Sequence, residues 1–177
     1  MKRIFPALAV LLLLASSAAA APIPLDGGSL PVDIISDSMA YNAAKNTVVF
    51  SGNVEAVRGE FKMWSESLTI FLKKSDGPKK ENSKAPAGME NSGLERIISE
   101  RNVRFINGSQ SGSAEKATYF TDRGELVLEG SPILHDGNNS IRGSVIRYFI
   151  NENRSLVESS GRQRVHAVFS GEKRKGK

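Results

Sequence analysis

The chain has 177 residues, of which 40% are hydrophobic and 24% charged, and its formal net charge is +5. These proportions are typical of a soluble globular protein with one domain or two small ones, and they exclude a multi-span membrane protein. There is no cysteine, which excludes disulfides, thiolate metal sites and a catalytic thiol. A pI near 9.6 favours an anionic partner only if the positive charges lie on the folded domain.

Residues 1–20 are predicted to be a secretory signal peptide. They begin with Met1-Lys2-Arg3, continue with an apolar stretch up to Leu14, and end in small residues from Ser16 to Ala20, where a signal peptidase can cut. The alternative is an uncleaved membrane anchor, because residues 4–21 carry no charge over 18 positions. Either reading predicts an exported domain.

The net positive charge lies at the two ends of the chain. Lys2 and Arg3 belong to the signal peptide, and the basic tail at residues 172–177 carries four positive charges and one negative. Residues 21–171 are therefore neutral overall, and nucleic acid is not an expected partner. We expect the tail to be a solvated end, with contact to anionic lipid as the alternative.

Four segments share a six-residue pattern with a small residue first, an apolar residue fourth, and Tyr or Ile sixth. Their last residues are 29, 49 and 29 positions apart, so the pattern predicts four repeats of about 29 residues, one of them with an insertion of 20. Three of the four segments have an acid second. Eleven residues after the patterns, with the 20 inserted residues left out of the count, stand Gly52, Arg101, Gly130 and Ser159. The segments are Ser36–Tyr41, Ser65–Ile70, Ala114–Tyr119 and Gly143–Tyr148.

The insertion occupies residues 73–93, where Met89 is the only apolar residue larger than alanine. Such a segment cannot bury enough apolar surface to offset its ordering entropy, so we expect a disordered loop. We expect a leader at residues 21–30 and a single folded domain over residues 31–171.

Apolar residues alternate with a period of two along the repeats, which predicts strands rather than helices. The expected fold is all-β, with many short antiparallel strands stacked repeat upon repeat. The large apolar residues at alternate positions would then face a space between two sheets, or simply fill a core there. These residues are Met39, Tyr41, Phe50, Val54, Phe61, Met63, Leu68, Ile70, Val103, Phe105, Ala117, Tyr119, Leu128, Leu134, Ile146 and Tyr148.

The sequence contains no motif for catalysis, metal binding or cofactor binding. His135 and His166 lie in different segments, with no Ser or carboxylate spaced to act with them. Asp37, Glu66 and Glu115 recur once per repeat, which favours a structural role at strand starts over paired catalytic carboxylates. We therefore expect no enzyme activity, no catalytic residue, no metal and no cofactor.

Strand-like segments lie at both ends of the predicted stack, at residues 32–35 and 165–169. A stacked sheet exposes unpaired backbone at its ends unless it is capped. Neither segment contains Pro or Lys, so end-to-end strand addition is one expectation. Capping by the flanking leader and tail is the other.

The ordered set of these motifs resembles the OstA-like (LptA) family of periplasmic lipopolysaccharide-transport proteins. The resemblance extends over about residues 31–169. It is carried by Pro31-Val32-Asp33-Ile34-Ile35-Ser36-Asp37, Ala40-Tyr41, Val48-Val49-Phe50-Ser51-Gly52-Asn53-Val54, Gly112-Ser113-Ala114, Ala117-Thr118-Tyr119, Leu126-Val127-Leu128-Glu129-Gly130, Asn139-Ser140-Ile141-Arg142-Gly143 and Ile146-Arg147-Tyr148.

The resemblance implies a twisted β-jelly-roll, open along one side, whose apolar interior holds the acyl chains of lipopolysaccharide (lipid A). Val32, Ile34 and Tyr119 match family positions that contact lipid. It further implies a location in the periplasm and head-to-tail self-association. The partners would be an inner-membrane-anchored LptC-like protein and the N-terminal domain of an outer-membrane LptD-like translocon. The alternative is an LptC-like relay component of the same pathway, anchored by an uncleaved N-terminal helix.

Overall fold

The computed structural model describes residues 32–73, 93–149, 151–152, 154–161 and 164–170. The predicted signal peptide, leader and basic tail lie outside these ranges, as does the predicted insertion loop except for its end residues Lys73 and Gly93. Within the ranges the regular elements are β-strands. No helix in this part of the chain is long and apolar enough to cross a bilayer.

The strands of the described chain pair antiparallel throughout and form one sheet of 12 strands, which confirms the predicted all-β architecture. Four of them, β3 to β6, are 11 to 14 residues long. The strands are β1 (Asp33–Ile35), β2 (Ser38–Asn42), β3 (Thr47–Arg58), β4 (Phe61–Leu72), β5 (Leu94–Asn107), β6 (Gln110–Phe120), β7 (Glu125–Glu129), β8 (Ile133–Asp136), β9 (Asn139–Arg142), β10 (Val145–Phe149), β11 (Arg154–Glu158) and β12 (His166–Val168).

The long strands are bent at mid-length by bulges. The pairing register shifts between Ser51 and Val54 in β3, between Trp64 and Ser67 in β4, and after Glu100 in β5. A bulge bends a strand and increases its local twist. The sheet consequently folds into two leaves, and each long strand contributes one half to each leaf.

The first leaf contains β2, β7, β10 and β11, together with residues 47–51, 67–72, 94–100 and 116–120 of the long strands. The second leaf contains β1, β8, β9 and β12, together with residues 54–58, 61–65, 103–107 and 110–113. β6 illustrates the division, because its first half pairs with β8 and its second half with β7.

The acids that recur in the sequence pattern hold the bulges of a neighbouring strand. The side-chain amide of Asn53 donates to Oδ2 of Asp37 at 2.9 Å. Glu66 accepts hydrogen bonds from Arg101 Nε, at 2.7 Å, and from the amide of Asn102. Both acids therefore have a structural role. Asp37 directly precedes β2, as predicted for a strand start, whereas Glu66 lies in the middle of β4 at its bulge, so the predicted position is wrong for Glu66. The two residues at the equivalent place in three of the repeats have positive φ angles. They are Gly52 and Asn53, Arg101 and Asn102, and Gly130 and Ser131.

Strand pairing aligns the sequence patterns across the first leaf. The fourth residues of the four segments lie in one row, and the sixth residues lie in the next row that faces the same way. The first row is Met39, Phe50, Leu68, Ser99, Ala117, Leu128, Ile146 and Val157; the second is Tyr41, Val48, Ile70, Ile97, Tyr119, Leu126, Tyr148 and Ser155.

The hydrophobic core lies between the leaves. The facing row of the second leaf is Ile34, Ala56, Met63, Phe105, Gly112, Leu134, Ile141 and Ala167. One buried cluster joins Phe61, Val103 and Phe105 of this leaf to Tyr119 and Leu128 of the first. Packing between the leaves rather than hydrogen bonding therefore holds the two inner faces together, since apolar burial stabilises by about 25 cal/mol per Å2.

Candidate functional site

An apolar cavity of about 180 Å3 lies between the two leaves. Its walls are almost entirely hydrocarbon, and Arg58 is the only charged residue among the described residues that line it. The first leaf contributes Leu68, Ile70, Leu94, Ile97, Ser99, Ala117, Tyr119, Leu126 and Leu128, and the second contributes Val32, Ile34, Ala56, Val57, Arg58, Phe61, Met63 and Phe105.

The few polar groups of this cavity are accommodated locally. Ser99 is 1% exposed, and its hydroxyl donates to the thioether sulfur of Met63 at 3.5 Å. Arg58 lies at the end of β3, directly opposite Phe61 in the strand pairing. The apolar walls are thus continuous across both leaves, with the guanidinium group at one end of them.

A second cavity of about 300 Å3 adjoins the first. Phe105, Leu126 and Leu128 line both cavities, so the interior is one elongated space that narrows at these side chains. The second cavity is more polar, because β8 and β9 contribute Asp136 and Asn139 to its lining. The ring of Phe105 stacks on Phe61, with ring centroids 6.2 Å apart and an interplanar angle of 27°.

Tyr148 on β10 lines the second cavity. Its pKa is raised above the usual value for tyrosine because burial penalises the charged phenolate. The neutral phenol is accordingly the form that the interior favours.

The strongest charge network lies on the outer face of the first leaf. Glu125 is 4% exposed and accepts from Arg147 Nη1 at 3.1 Å and from Arg123 Nη2 at 3.2 Å. The pKa of Arg147 is raised, chiefly by its hydrogen bond to Glu125 and also by Glu158. These charges compensate one another away from the cavity, which leaves the interior apolar.

The structure brings most of the predicted interior residues together around the two cavities. Val54, Val103 and Ile146 are buried in the wall, Phe50 packs against the core, Tyr41 is half-buried, and Met39 on β2 is 56% exposed. The residues that line a cavity are Val32, Ile34, Phe61, Met63, Leu68, Ile70, Phe105, Ala117, Tyr119, Leu128, Leu134 and Tyr148.

Several cavity residues were missed by the sequence analysis. Ile97 and Leu126 both pair with Tyr119, and Leu126 follows it by seven positions, as Val48 follows Tyr41. In a hairpin this spacing places both residues on one face, so the repeat itself contained the signal. The other missed residues of the first cavity are Ala56, Val57, Arg58, Leu94 and Ser99. Those of the second cavity are Gln110, Ser111, His135, Asp136, Asn139, Ser140, Ile141 and Ser155.

The second leaf ends in open edges within the described chain. β1 pairs there only with β3, and β12 only with β9. Apolar side chains are exposed beside both edges, including Val32 and Ile35 near β1 and Val168 and Phe169 near β12. Both end segments predicted from the sequence are thus edge strands of the same leaf.

An antiparallel sheet folded over an elongated apolar interior defines a jelly-roll-like β protein. The chain belongs to the family described as LptA/(LptD N-terminal domain) LPS transport protein, which it matches over residues 33–154. The family resemblance predicted from the sequence motifs is therefore confirmed.

Individual relatives agree with this family. The chain is 26% identical over 162 residues to the lipopolysaccharide export system protein LptA of Haemophilus influenzae, covering 92% of this chain and 88% of that protein. It is 25% identical over 132 residues to an uncharacterised protein of Rhizobium meliloti, covering 74% of this chain and 67% of the relative.

A solved structure shares the fold. The crystal structure of LptH, the LptA homologous periplasmic component of the lipopolysaccharide transport device of Pseudomonas aeruginosa, matches with a TM-score of 0.61. The match covers 80% of this chain and 96% of that chain at 15% sequence identity.

Proposed function

We propose that this chain is a periplasmic lipopolysaccharide carrier that holds the acyl chains of lipid A between its two leaves. The observation that carries the proposal is the elongated apolar interior, lined from both leaves and almost free of charge. Acyl chains in transit between membranes must be kept from water, because apolar surface costs about 25 cal/mol per Å2 when it is exposed.

The relatives support the same assignment. Family membership covers residues 33–154, and the alignment with the Haemophilus lipopolysaccharide export protein spans most of both chains. The Pseudomonas structure with the same fold is described as a periplasmic component. We infer the periplasm as the location of this chain, after removal of residues 1–20.

We propose the cavity-lining side chains as the lipid contacts. Val32 and Ile34 would meet the lipid from β1 of the second leaf, and Ile70, Ala117 and Tyr119 would meet it from the first. The buried wall residues Val54, Val103 and Ile146 would support these contacts rather than make them.

Binding of a whole lipid would require the leaves to move apart. The two cavities measure about 180 and about 300 Å3, whereas a pocket for one drug-sized ligand already has about 300–1,000 Å3, and a lipid A carries several acyl chains. The leaves are connected through the bent long strands and otherwise pack through side chains, so a separation breaks apolar contacts without breaking the strand pairing within either leaf. The inserted acyl chains would replace those contacts.

The open edges of the second leaf support a bridging role. We propose that β12 of one copy pairs with β1 of the next, so that the interiors of successive copies align. The two ends of such a row would meet an LptC-like protein at the inner membrane and the N-terminal domain of an LptD-like translocon at the outer membrane. Movement of lipid along the row requires no covalent step and no cofactor.

The membrane-anchored, LptC-like alternative differs only in the fate of residues 4–21, an 18-residue uncharged segment outside the described residues. The small residues that follow it favour cleavage. N-terminal sequencing of the exported protein separates the two proposals: a start near Ala21 supports the carrier, and a start at residue 1 or 2 supports the anchored form.

The carrier proposal is tested by the dependence of binding on acylation. Complexes of the purified chain with lipopolysaccharide, and with the same lipopolysaccharide after complete deacylation, would be measured by native mass spectrometry. We expect the acylated form to bind at least tenfold more tightly than the deacylated form, and we expect Ala117→Phe, which fills the cavity, to abolish this difference. The control variant Lys116→Phe places the same ring on the outer face of the same strand, away from both cavities, and should bind normally.

Equal binding of the deacylated saccharide would contradict the proposal. If Ala117→Phe fails to fold, as judged by circular dichroism, Ile70→Phe provides the same test from a half-buried position in the lining. Full binding by a folded cavity-filling variant would also overturn the assignment.

A further inference from the structure

The outer face of the second leaf carries a groove of about 430 Å3 that shares only Phe105 with the first cavity. Trp64, Arg104 and Ile106 line it on one side, and His135 lines it on the other. The bottom of the groove is formed by β6, which lies between β5 and β8. The outward residues of β6 here are Ser111 and Ser113, which are smaller than the side chains of the two neighbouring strands.

The polar groups of this groove have unused hydrogen-bonding capacity. Trp64 and Arg104 are cross-strand neighbours on β4 and β5. Within the part of the chain that the structure describes, neither the indole nor the guanidinium group makes a hydrogen bond or ion pair. An exposed guanidinium group without a carboxylate partner can engage an anionic oxygen pair through two parallel N–H donors.

The charges around the groove select an anionic ligand. On this leaf the outward positions of β4, β5, β6, β8, β9 and β12 include Lys62, Arg104 and Arg142 but no carboxylate. The carboxylates nearby are Glu55, opposite Trp64 on β3, and Asp136, which accepts a hydrogen bond from the Ser109 hydroxyl. Asp33 on β1 also lies on this face, in the same row as Lys62 and Ile106. The outer face of the first leaf differs, because its arginines are paired with glutamates.

The side chains also indicate the shape of the ligand. The half-buried indole of Trp64 and the exposed side chain of Ile106 offer an apolar surface, whereas Ser111 and Ser113 offer hydroxyl groups beside it. A sugar ring has an apolar face of C–H groups and an edge of hydroxyl groups. An indole ring carries negative charge density on its face, which attracts polarised C–H groups.

We propose that this groove binds a phosphorylated saccharide, with Trp64 against the sugar ring and Arg104 paired with the phosphate. The volume of the groove lies within the range of small-ligand sites, about 300–1,000 Å3. The groove shares Phe105 with both internal cavities and Ser111 and His135 with the second. Trp64 and Arg104, which carry the proposal, line neither cavity, so the site is distinct from the acyl-chain contacts of the first cavity.

Trp64 is the only tryptophan of the chain, so intrinsic tryptophan fluorescence reports on this groove alone. The purified full-length protein would be titrated with glucose 6-phosphate, glucose and inorganic phosphate at constant ionic strength. We expect a saturable change with glucose 6-phosphate and at least tenfold weaker binding of the other two probes, since each lacks one of the recognised parts.

Arg104→Gln should weaken the binding of glucose 6-phosphate at least tenfold. The matched control is Lys116→Gln, which removes the same charge from the neighbouring strand β6 on the outer face of the other leaf, and it should bind as the unaltered chain does. Both substitutions are on the surface, and circular dichroism would verify that both variants are folded.

Three outcomes would overturn the proposal. One is the absence of a saturable fluorescence change, and another is unaltered affinity in Arg104→Gln. The third is a preference for inorganic phosphate or for a poly-glutamate peptide over the sugar phosphate, which would indicate an anion site or a site for an acidic protein segment.

Discussion

A Cβ atom on Gly112 would lie 2.5 Å from Cζ of Phe105, so the aromatic ring occupies the space that a side chain on β6 would need. Leu134 Cδ2 would be 2.8 Å away on the other side. Phe105 therefore covers the backbone of the neighbouring strand and reaches the point where the two internal cavities meet. The glycine is required by this close approach of the ring.

Gly112→Ala is expected to lower the free energy of unfolding by about 1–3 kcal/mol, because overpacking forces a core ring from its position. Urea unfolding followed by circular dichroism measures the change. Ser113→Ala, on the outer face of the same strand, should change stability by less than about 0.5 kcal/mol. Stability equal to that of the unaltered chain in Gly112→Ala would show that Phe105 does not occupy this space.

Arg101→Gly is expected to raise the free energy of unfolding by about 1 kcal/mol. Arg101 has a φ angle of 65°, and a non-glycine residue pays about 1–2 kcal/mol in this conformation. Its ion pair with Glu66 joins side chains that are 62% and 47% exposed, and such pairs contribute little. Arg104→Gly, at an extended position of the same strand, should lower the free energy of unfolding instead. If the two substitutions change the free energy of unfolding in the same direction, the assigned backbone geometry is contradicted.

Tyr148→Phe is expected to make the protein less sensitive to alkaline pH. Because burial raises the pKa of Tyr148 in the folded state, its contribution to stability is fully present below the unfolded pKa of about 10 and decreases as the pH rises through the folded pKa. Chemical unfolding at about pH 8 and about pH 11 would measure this. If the free energies of unfolding of the two proteins differ by the same amount at both pH values, the prediction is refuted.

Val168→Lys is expected to weaken self-association. A lysine on an edge strand opposes pairing with another strand, and Val168 lies on β12 with 42% of its surface exposed. Sedimentation equilibrium over a range of concentrations should show a lower average mass for this variant. Ile106→Lys alters an equally exposed apolar residue inside the sheet, and this variant should associate as the unaltered chain does. If the unaltered chain remains monomeric at every concentration, pairing through the edge strands is excluded.

The sequence predicted the faces of the strands well, for a physical reason. Side chains alternate across a strand, so the apolar positions at Leu68 and Ile70, or at Ala117 and Tyr119, had to share one face. The recurrent acids at Asp37 and Glu66 were also predictable as structural groups, because a catalytic residue has no reason to be repeated.

The two-leaf arrangement was less predictable. A bulge such as the one between Ser51 and Val54 shifts the register, and period-two patterns do not show through how large an angle the sheet then bends. Alternation also does not show how far the opposite leaf extends. Met39 has the correct phase but lies at the end of the first leaf, where 56% of it remains exposed.

Small or polar lining residues were the hardest to predict. Ala56 and Ser99 belong to the cavity because of their neighbours across the interior, which sequence spacing does not specify. The groove beside Trp64 has the same origin, since it depends on small residues of β6 lying between larger residues of two other strands.

The central claim, that lipid occupies the space between the leaves, is tested most directly by site-specific photo-crosslinking in cells that make lipopolysaccharide. A photoreactive amino acid would replace Ile34 or Phe105, which face the interior, and in control variants Ile35 or Leu156, which are exposed on the outer faces of the two leaves. The account predicts lipopolysaccharide adducts at Ile34 and Phe105 and little or none at Ile35 and Leu156. Equal capture on both faces, or capture on the outer face alone, would contradict it.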